Sequence, residues 1–208
     1  MALSGTAERS GTLVVVELIL LHGFDAGPEN LTEVADSVRA ALPGWSIRLL
    51  DGPVDIVDGR KAWWQDGDCA LPDVRHALEW LTATIGEEPL VVAGFSQGGA
   101  FALAAGFGLD GCPSGVNVLG AACIGGFVPD EVHVGPTSLE LFIAHGTEDD
   151  VVDPFHAQSL ARLSARHGIG HELMLHGGGH EWPSDVTERL ISWLVGHDWT
   201  YAPEKPGV

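Results

Sequence analysis

The sequence predicts an α/β fold, a mostly parallel central sheet flanked by helices, and three observations carry that prediction. Short apolar runs alternate along the 208 residues with amphipathic stretches of helical length, the order expected when each strand is followed by a crossover helix. No internal repeat interrupts that alternation, and the length suits one well-buried domain better than two. One apolar run, Leu90-Val91-Val92-Ala93, leads through Gly94-Phe95-Ser96-Gln97-Gly98 into a helix of small residues, a strand–turn–helix sequence typical of α/β units.

Each element has its own local signal. Residues 13–21 form an apolar, strand-like run, and 29–41 an amphipathic helix that Pro43-Gly44 ends. Residues 47–50 read as a weaker second strand. The Asp- and Gly-rich segment 51–71, which holds Trp63 and Trp64, reads as a long functional loop. Pro72 opens a helix reaching about residue 85, with Val74, Leu78 and Leu81 on one face, and Pro89 precedes the strand 90–93. Further strands are expected over 116–124, 139–144 and 172–175, with helices over 154–167 and 186–195. The core is expected over 13–195, within one domain spanning 1–208. The tail from Trp199 onward is expected to be loosely held.

Composition narrows the function classes. Apolar residues make up 45% of the chain and seven are Trp, which fits a packed core and excludes disorder. A formal charge of −19, with only ten Lys and Arg, argues against nucleic acid or an anionic membrane surface as a partner. Cys69, Cys112 and Cys123 cannot all pair and form no Cys-x-x-Cys motif, which points to a reducing, cytoplasmic setting. Arg9 ahead of the run 13–21 has the outline of a secretory signal. That run carries Glu17 and continues into Leu21-His22-Gly23, which the chemistry below requires, so it reads as a strand. No apolar stretch reaches the roughly 20 residues of a spanning helix.

The chemistry centres on Ser96. A serine that attacks a carbonyl must stand on a sharp strand-to-helix turn, and Gly94 and Gly98 give the backbone room for it. The following helix points backbone N–H groups at the place where negative charge develops. Asp149 and His180 each follow a later strand, so the order is Ser, acid, His, as in α/β-hydrolases. His180 would take and return the Ser96 proton while Asp149 holds its tautomer. Glu148, Asp150 and Asp153 crowd the acid loop and leave the acid open among them on spacing alone. The backbone N–H groups of Phe24 and Gln97 are the candidate oxyanion donors.

Other histidines have plainer readings. His76 and His167 fall within predicted helices, His145 opens the acid loop, and His22 either organises a buried loop or supports the oxyanion turn. His176 and His180 are spaced as metal ligands could be, but on a glycine loop without an acidic partner motif, so no metal or other cofactor is expected.

Four segments together resemble the phospholipase/carboxylesterase family: Leu21-His22-Gly23-Phe24, Gly94-Phe95-Ser96-Gln97-Gly98-Gly99, His145-Gly146-Thr147-Glu148-Asp149 and Gly179-His180-Glu181. Ala62-Trp63-Trp64 is similar to that family's Ser-Trp-Phe segment near the acyl pocket. The resemblance implies Ser96 as nucleophile, Asp149 as acid, His180 as base, and Phe24 with Gln97 as the oxyanion hole. It also implies Trp63 and Trp64 at the substrate. Thr147 stands where the family often has Asp, and Asp25-Ala26 where it often has Gly-Asp; the second departure bears on the rim of the pocket. The expected activity is hydrolysis of small carboxylic esters or thioesters through an acyl-enzyme. Alternatives are a catalytically degenerate binding protein, an amidase or peptidase, and a dienelactone-hydrolase-like enzyme, although that last group usually places Cys where Ser96 stands.

Overall fold

The computed structural model describes residues 17–65, 71–86, 88–109, 114–130, 132–135 and 137–199. Residues 13–16 of the expected first strand, Cys69, Cys112 and the tail beyond 199 lie outside them. Among the described residues the strands are β1 (Glu17–Leu21), β2 (Ser46–Leu50), β3 (Val54–Asp55), β4 (Lys61–Ala62), β5 (Leu90–Phe95), β6 (Val118–Ile124), β7 (Glu140–Gly146) and β8 (His171–His176). The helices are α1 (Thr32–Ala41), α2 (Leu71–Ile85), α3 (Gln97–Phe107), α4 (Phe155–His167) and α5 (Ser184–Gly196). The helix expected from residue 29 is instead a 3₁₀ turn, Pro28–Leu31, that runs into α1.

Six strands form one sheet in the order β2-β1-β5-β6-β7-β8, with every neighbouring pair parallel. Parallel strands are buried on both faces, which is why β5 and β7 read as unbroken apolar runs. Alternate side chains choose the layer. Leu18, Leu20, Val91, Ala93, Phe142 and Ala144 pack toward α1 and α5, through Val34, Val38, Val186 and Leu190. Ile19, Leu21, Leu90 and Val92 pack toward α2 and α3, through Val74, Leu81, Phe101 and Ala104. Cys123, Leu141 and Ile143 meet Ala157, Leu160 and Ala161 of α4. No helix of the described residues is long and apolar enough to cross a membrane.

Of the expected loop 51–71, residues 66–70 lie outside the described ones, and the part 51–65 contains regular structure. β3 and β4 form a small antiparallel hairpin, with Val54 opposite Ala62 and Asp55 opposite Lys61. Its turn uses Asp58 and Gly59 at positive φ, 54° and 80°. Lys61 also bridges to Ala26, each backbone N–H donating to the other's carbonyl at 2.8 and 3.2 Å. The hairpin is thereby tied to the loop that leaves β1, at the end of the sheet where the conserved direction of parallel strands collects their carboxyl termini.

Candidate active site

Ser96 sits between β5 and α3 with φ 54° and ψ −119°, a conformation costly for a residue with a side chain. The turn closes only because its neighbours are glycines. A Cβ on Gly94 would lie 2.1 Å from the Gly98 carbonyl oxygen, and one on Gly98 2.3 Å from that of Leu21. Ser96 N–H donates to the Ile124 carbonyl at 2.9 Å, which locks the turn to the end of β6. α3 then starts at Gln97, so its unpaired N–H groups and positive dipole end face the serine.

Two further loops bring the partners of Ser96. Beyond β7, Gly146 lets the loop after β8 approach: a Cβ there would lie 2.2 Å from the Gly179 carbonyl oxygen. Thr147 N–H donates to His176 O at 2.8 Å and Glu148 N–H to Gly178 O at 3.0 Å, stitching the two loops together. The result is a continuous hydrogen-bonded chain. His180 Nδ1 is 2.8 Å from Asp149 Oδ2, and His180 Nε2 is 2.9 Å from Ser96 Oγ. A carboxylate can only accept, so Nδ1 carries the proton and Nε2 accepts from the Ser96 hydroxyl. The His180 ring also lies against Phe95, 4.8 Å between centroids.

Asp149 is the acid that meets His180; Glu148 and Asp150 do not. Its Oδ1 accepts from Val151 and Val152 N–H, both at 2.9 Å. Its Oδ2 lies 3.1 Å from His145 Nε2, whose N–H also reaches Val152 O at 2.9 Å. Burial pushes the Asp149 carboxyl upward, but the hydrogen bonds from Val152, His180 and Val151 outweigh it and hold its pKa below the ordinary carboxylate value. Asp153 instead accepts from Phe155 N–H at the start of α4. His145 thus fastens the acid loop.

His22, buried after β1, organises the turn that carries Phe24. Its Nε2 accepts from Gly52 N–H at 3.0 Å, so its proton is on Nδ1, which donates to Gly23 O at 2.7 Å. Burial lowers its pKa, against smaller opposing effects of the Gly23 carbonyl and Asp51. His22 is therefore an organiser of a buried loop, one of the two functions weighed for it. His176 and His180 diverge: His176 Nδ1 accepts from Gly178 N–H, while both nitrogens of His180 serve the chain to Ser96.

Trp63 and Trp64 stand elsewhere than on the pocket wall at Ser96. They are 1% and 0% exposed, with Trp63 stacked on Phe101 at 5.1 Å between centroids. Both border a separate cavity of about 420 Å³ beside His76 and Trp80, whose described lining includes neither Ser96 nor His180. Large aromatic surface is worth most when removed from water, and α2 and α3 provide that cover. Their backbone nonetheless serves the site. Gln97 Oε1 accepts from Trp63 N–H at 3.0 Å, Gln97 Nε2 donates to Trp64 O at 3.1 Å, and Trp63 Nε1 donates to His22 O at 2.7 Å. The Gln97 side chain is thus a clamp between the elbow and the segment after β4. Nothing in the local sequence signals it, because its partners are backbone groups more than thirty residues away.

Two cavities open at Ser96, one of about 320 Å³ toward His180 and Trp182, the other of about 660 Å³ toward Phe127 and Val152. Both fall within the usual range for small-molecule sites. Phe24 lines each of them and is 40% exposed, rather than being a core aromatic.

Known proteins carry the same architecture. A carboxylesterase from Mesorhizobium loti superposes with a TM-score of 0.71 at 20% identity, covering 88% of this chain and 89% of that one. Acyl-protein thioesterase 2 of Zea mays gives 0.66 at 23% identity, covering 90% and 95%. Such likeness establishes the α/β-hydrolase fold. In sequence, acyl-protein thioesterase 1 of Emericella nidulans is 29% identical over 139 residues, 62% of this chain but little more than half, 56%, of the relative's length. The model of the phospholipase/carboxylesterase family matches residues 74–197, more than half the chain and a stretch that includes Ser96, Asp149 and His180. By that match the chain belongs to the phospholipase/carboxylesterase family.

Proposed function

We propose that the protein is a serine hydrolase that cleaves carboxylic esters or thioesters through an acyl-enzyme. The observation that carries this reading is the chain Ser96 Oγ, His180, Asp149, at 2.9 and 2.8 Å, beginning on a serine held at φ 54°. Ser96 is the nucleophile. His180 Nε2 takes its proton and returns it to the departing oxygen or sulfur; a water deprotonated by the same nitrogen then releases the acid. Asp149, ionised by its hydrogen bonds, fixes the His180 tautomer and stabilises the imidazolium. The N–H groups of Phe24 and Gln97 receive the oxyanion, and the networks through His22 and the Gln97 side chain hold those two turns in place.

A base, an acid and an oxyanion site suffice for this reaction, so no metal or cofactor is part of the proposal. We further infer one hydrolase domain over the whole chain and a reducing, cytoplasmic setting. Cys123 is compatible with both: it is buried, and burial pushes its thiol up to about 12, which leaves it inert at neutral pH.

The test is active-site labelling joined to turnover. A fluorophosphonate should label the protein once and Ser96→Ala not at all, while Ser96→Ala keeps its fold by circular dichroism. Short-chain p-nitrophenyl esters and matched thioesters should be hydrolysed at a rate EDTA leaves unchanged. Labelling that survives Ser96→Ala, or loss of the rate to EDTA, overturns the reading.

A further inference from the structure

The two cavities at Ser96 are unequal, and among their described lining residues they share only Ser96 and Phe24. The smaller arm's lining includes Leu31, His180, Glu181 and Trp182; the larger's includes Phe127, Val128, Val151 and Val152, with Asp130, Asp153 and His156 beside them. Phe24 stands on a backbone tied from several sides. His22 is fixed to Gly52 and Trp63, Asp25 pairs with Arg60 at 2.8 Å, and Ala26 pairs with Lys61. An aromatic ring left 40% exposed on so restrained a loop does not serve the core.

Resting on the hydrolase reading of this site, we propose that the Phe24 side chain is a specificity-determining divider that seats the leaving group in the smaller arm and the acyl chain in the larger. The direction follows from the proton. Ser96 Oγ bonds to the acyl carbon, the bond from that carbon to the alcohol oxygen or thiol sulfur breaks, and the proton held at His180 Nε2 passes to the departing atom. That atom must come within hydrogen-bond reach of Nε2, about 3 Å. Of the two arms only the smaller is lined by His180, so the departing group occupies it. The acyl chain is left with the larger arm and its apolar Phe127, Val128, Val151 and Val152. The preferred substrates are therefore esters or thioesters with a medium aliphatic acyl group and a compact alcohol or thiol.

Two series of aliphatic esters test this, one lengthening the acyl group of ethyl esters, the other lengthening the alcohol of acetate esters, with acid release followed by pH-stat. The wild type should keep or gain kcat/KM as the acyl group grows to medium length and lose about ten-fold or more as the alcohol grows beyond the smaller arm, since a single methylene in a hydrophobic pocket discriminates by such factors. Phe24→Ala should remove that asymmetry, raising the long-alcohol to short-alcohol ratio about ten-fold, and Phe24→Trp should deepen it. Fluorophosphonate labelling at wild-type stoichiometry verifies that each variant retains the folded site. Equal tolerance of long alcohols and long acyl groups in the wild type, or ratios unmoved in both labelled variants, overturns the divider and leaves the hydrolase reading standing. Absence of turnover on every ester overturns both.

Discussion

Asp149 shows how one side chain's environment decides its role. Four acidic residues share its loop, yet Asp149 alone faces His180 while two backbone N–H groups satisfy its other oxygen. Asp149→Asn should lower kcat by a factor on the order of 10⁴, because an amide stabilises the wrong imidazole tautomer. Asp150→Asn and Asp153→Asn, at exposed positions, should change kcat far less. Steady-state kinetics on one good ester separates the three. His22 supports a prediction of a different kind. Its folded pKa lies below its ordinary value of 6.5, so the unfolded chain binds the extra proton more readily. The stability this neutral imidazole contributes is present above about pH 6.5 and is lost as pH falls through the folded value. Urea unfolding of the wild type should therefore show stability falling below about pH 6.5. His22→Gln, whose amide oxygen can still accept from Gly52 N–H, should flatten that part of the curve.

Among the elements, Trp199, the first residue of the expected tail and the last described one, is packed against α5 and β6. Trp199 lies edge-on to Trp193, 5.0 Å between centroids, and donates from Nε1 to Leu194 O at 2.7 Å. It covers Gly120 of β6 so closely that a Cβ there would stand 2.5 Å from its ring. Trp199→Ala should cost about 3–5 kcal/mol, and Gly120→Val about 1–3 kcal/mol by overpacking, both read as lower urea midpoints at unchanged slope. Trp199 was illegible because a single aromatic after α5 has no periodicity to place it. The longer elements were legible for the opposite reason: β5 and β7 are unbroken apolar runs, α4 and α5 bury one face at helical period, and their limits differ from expectation by no more than two residues. β3 and β4 hold two residues each, too few for any period, so the hairpin was hidden in what read as loop. The site divides in the same way. Ser96, Asp149 and His180 are held by glycine turns that the chain spells out locally. The Gln97 clamp and the Phe24 divider depend on which strands become neighbours. Trp63 and Trp64 show the converse, side chains marked by their chemistry and claimed by the core.

At the scale of the whole molecule, charge works against compactness. The chain has 29 acidic residues to 10 Lys and Arg, a formal charge of −19. The pairs Arg39 with Asp36, Arg48 with Glu17 and Arg60 with Asp25 are partly or well exposed, and pairs of that kind contribute at most about 1 kcal/mol each. Stability must come from the two layers of helix packed on the sheet, while the surplus carboxylates repel one another across the surface. That repulsion is long-ranged at about 0.01 M salt, where the Debye length is about 30 Å, and largely screened at several tenths molar. Adding NaCl over that interval should raise Tm by several degrees, since about 1 kcal/mol shifts Tm by roughly 2–4 °C in a chain of this size. The salt effect should shrink as pH is lowered toward the sequence pI of about 4.6, where the net charge approaches zero. A Tm that stays flat or falls with NaCl at pH 7.5 would show that local pairing, rather than net charge, governs the surface electrostatics.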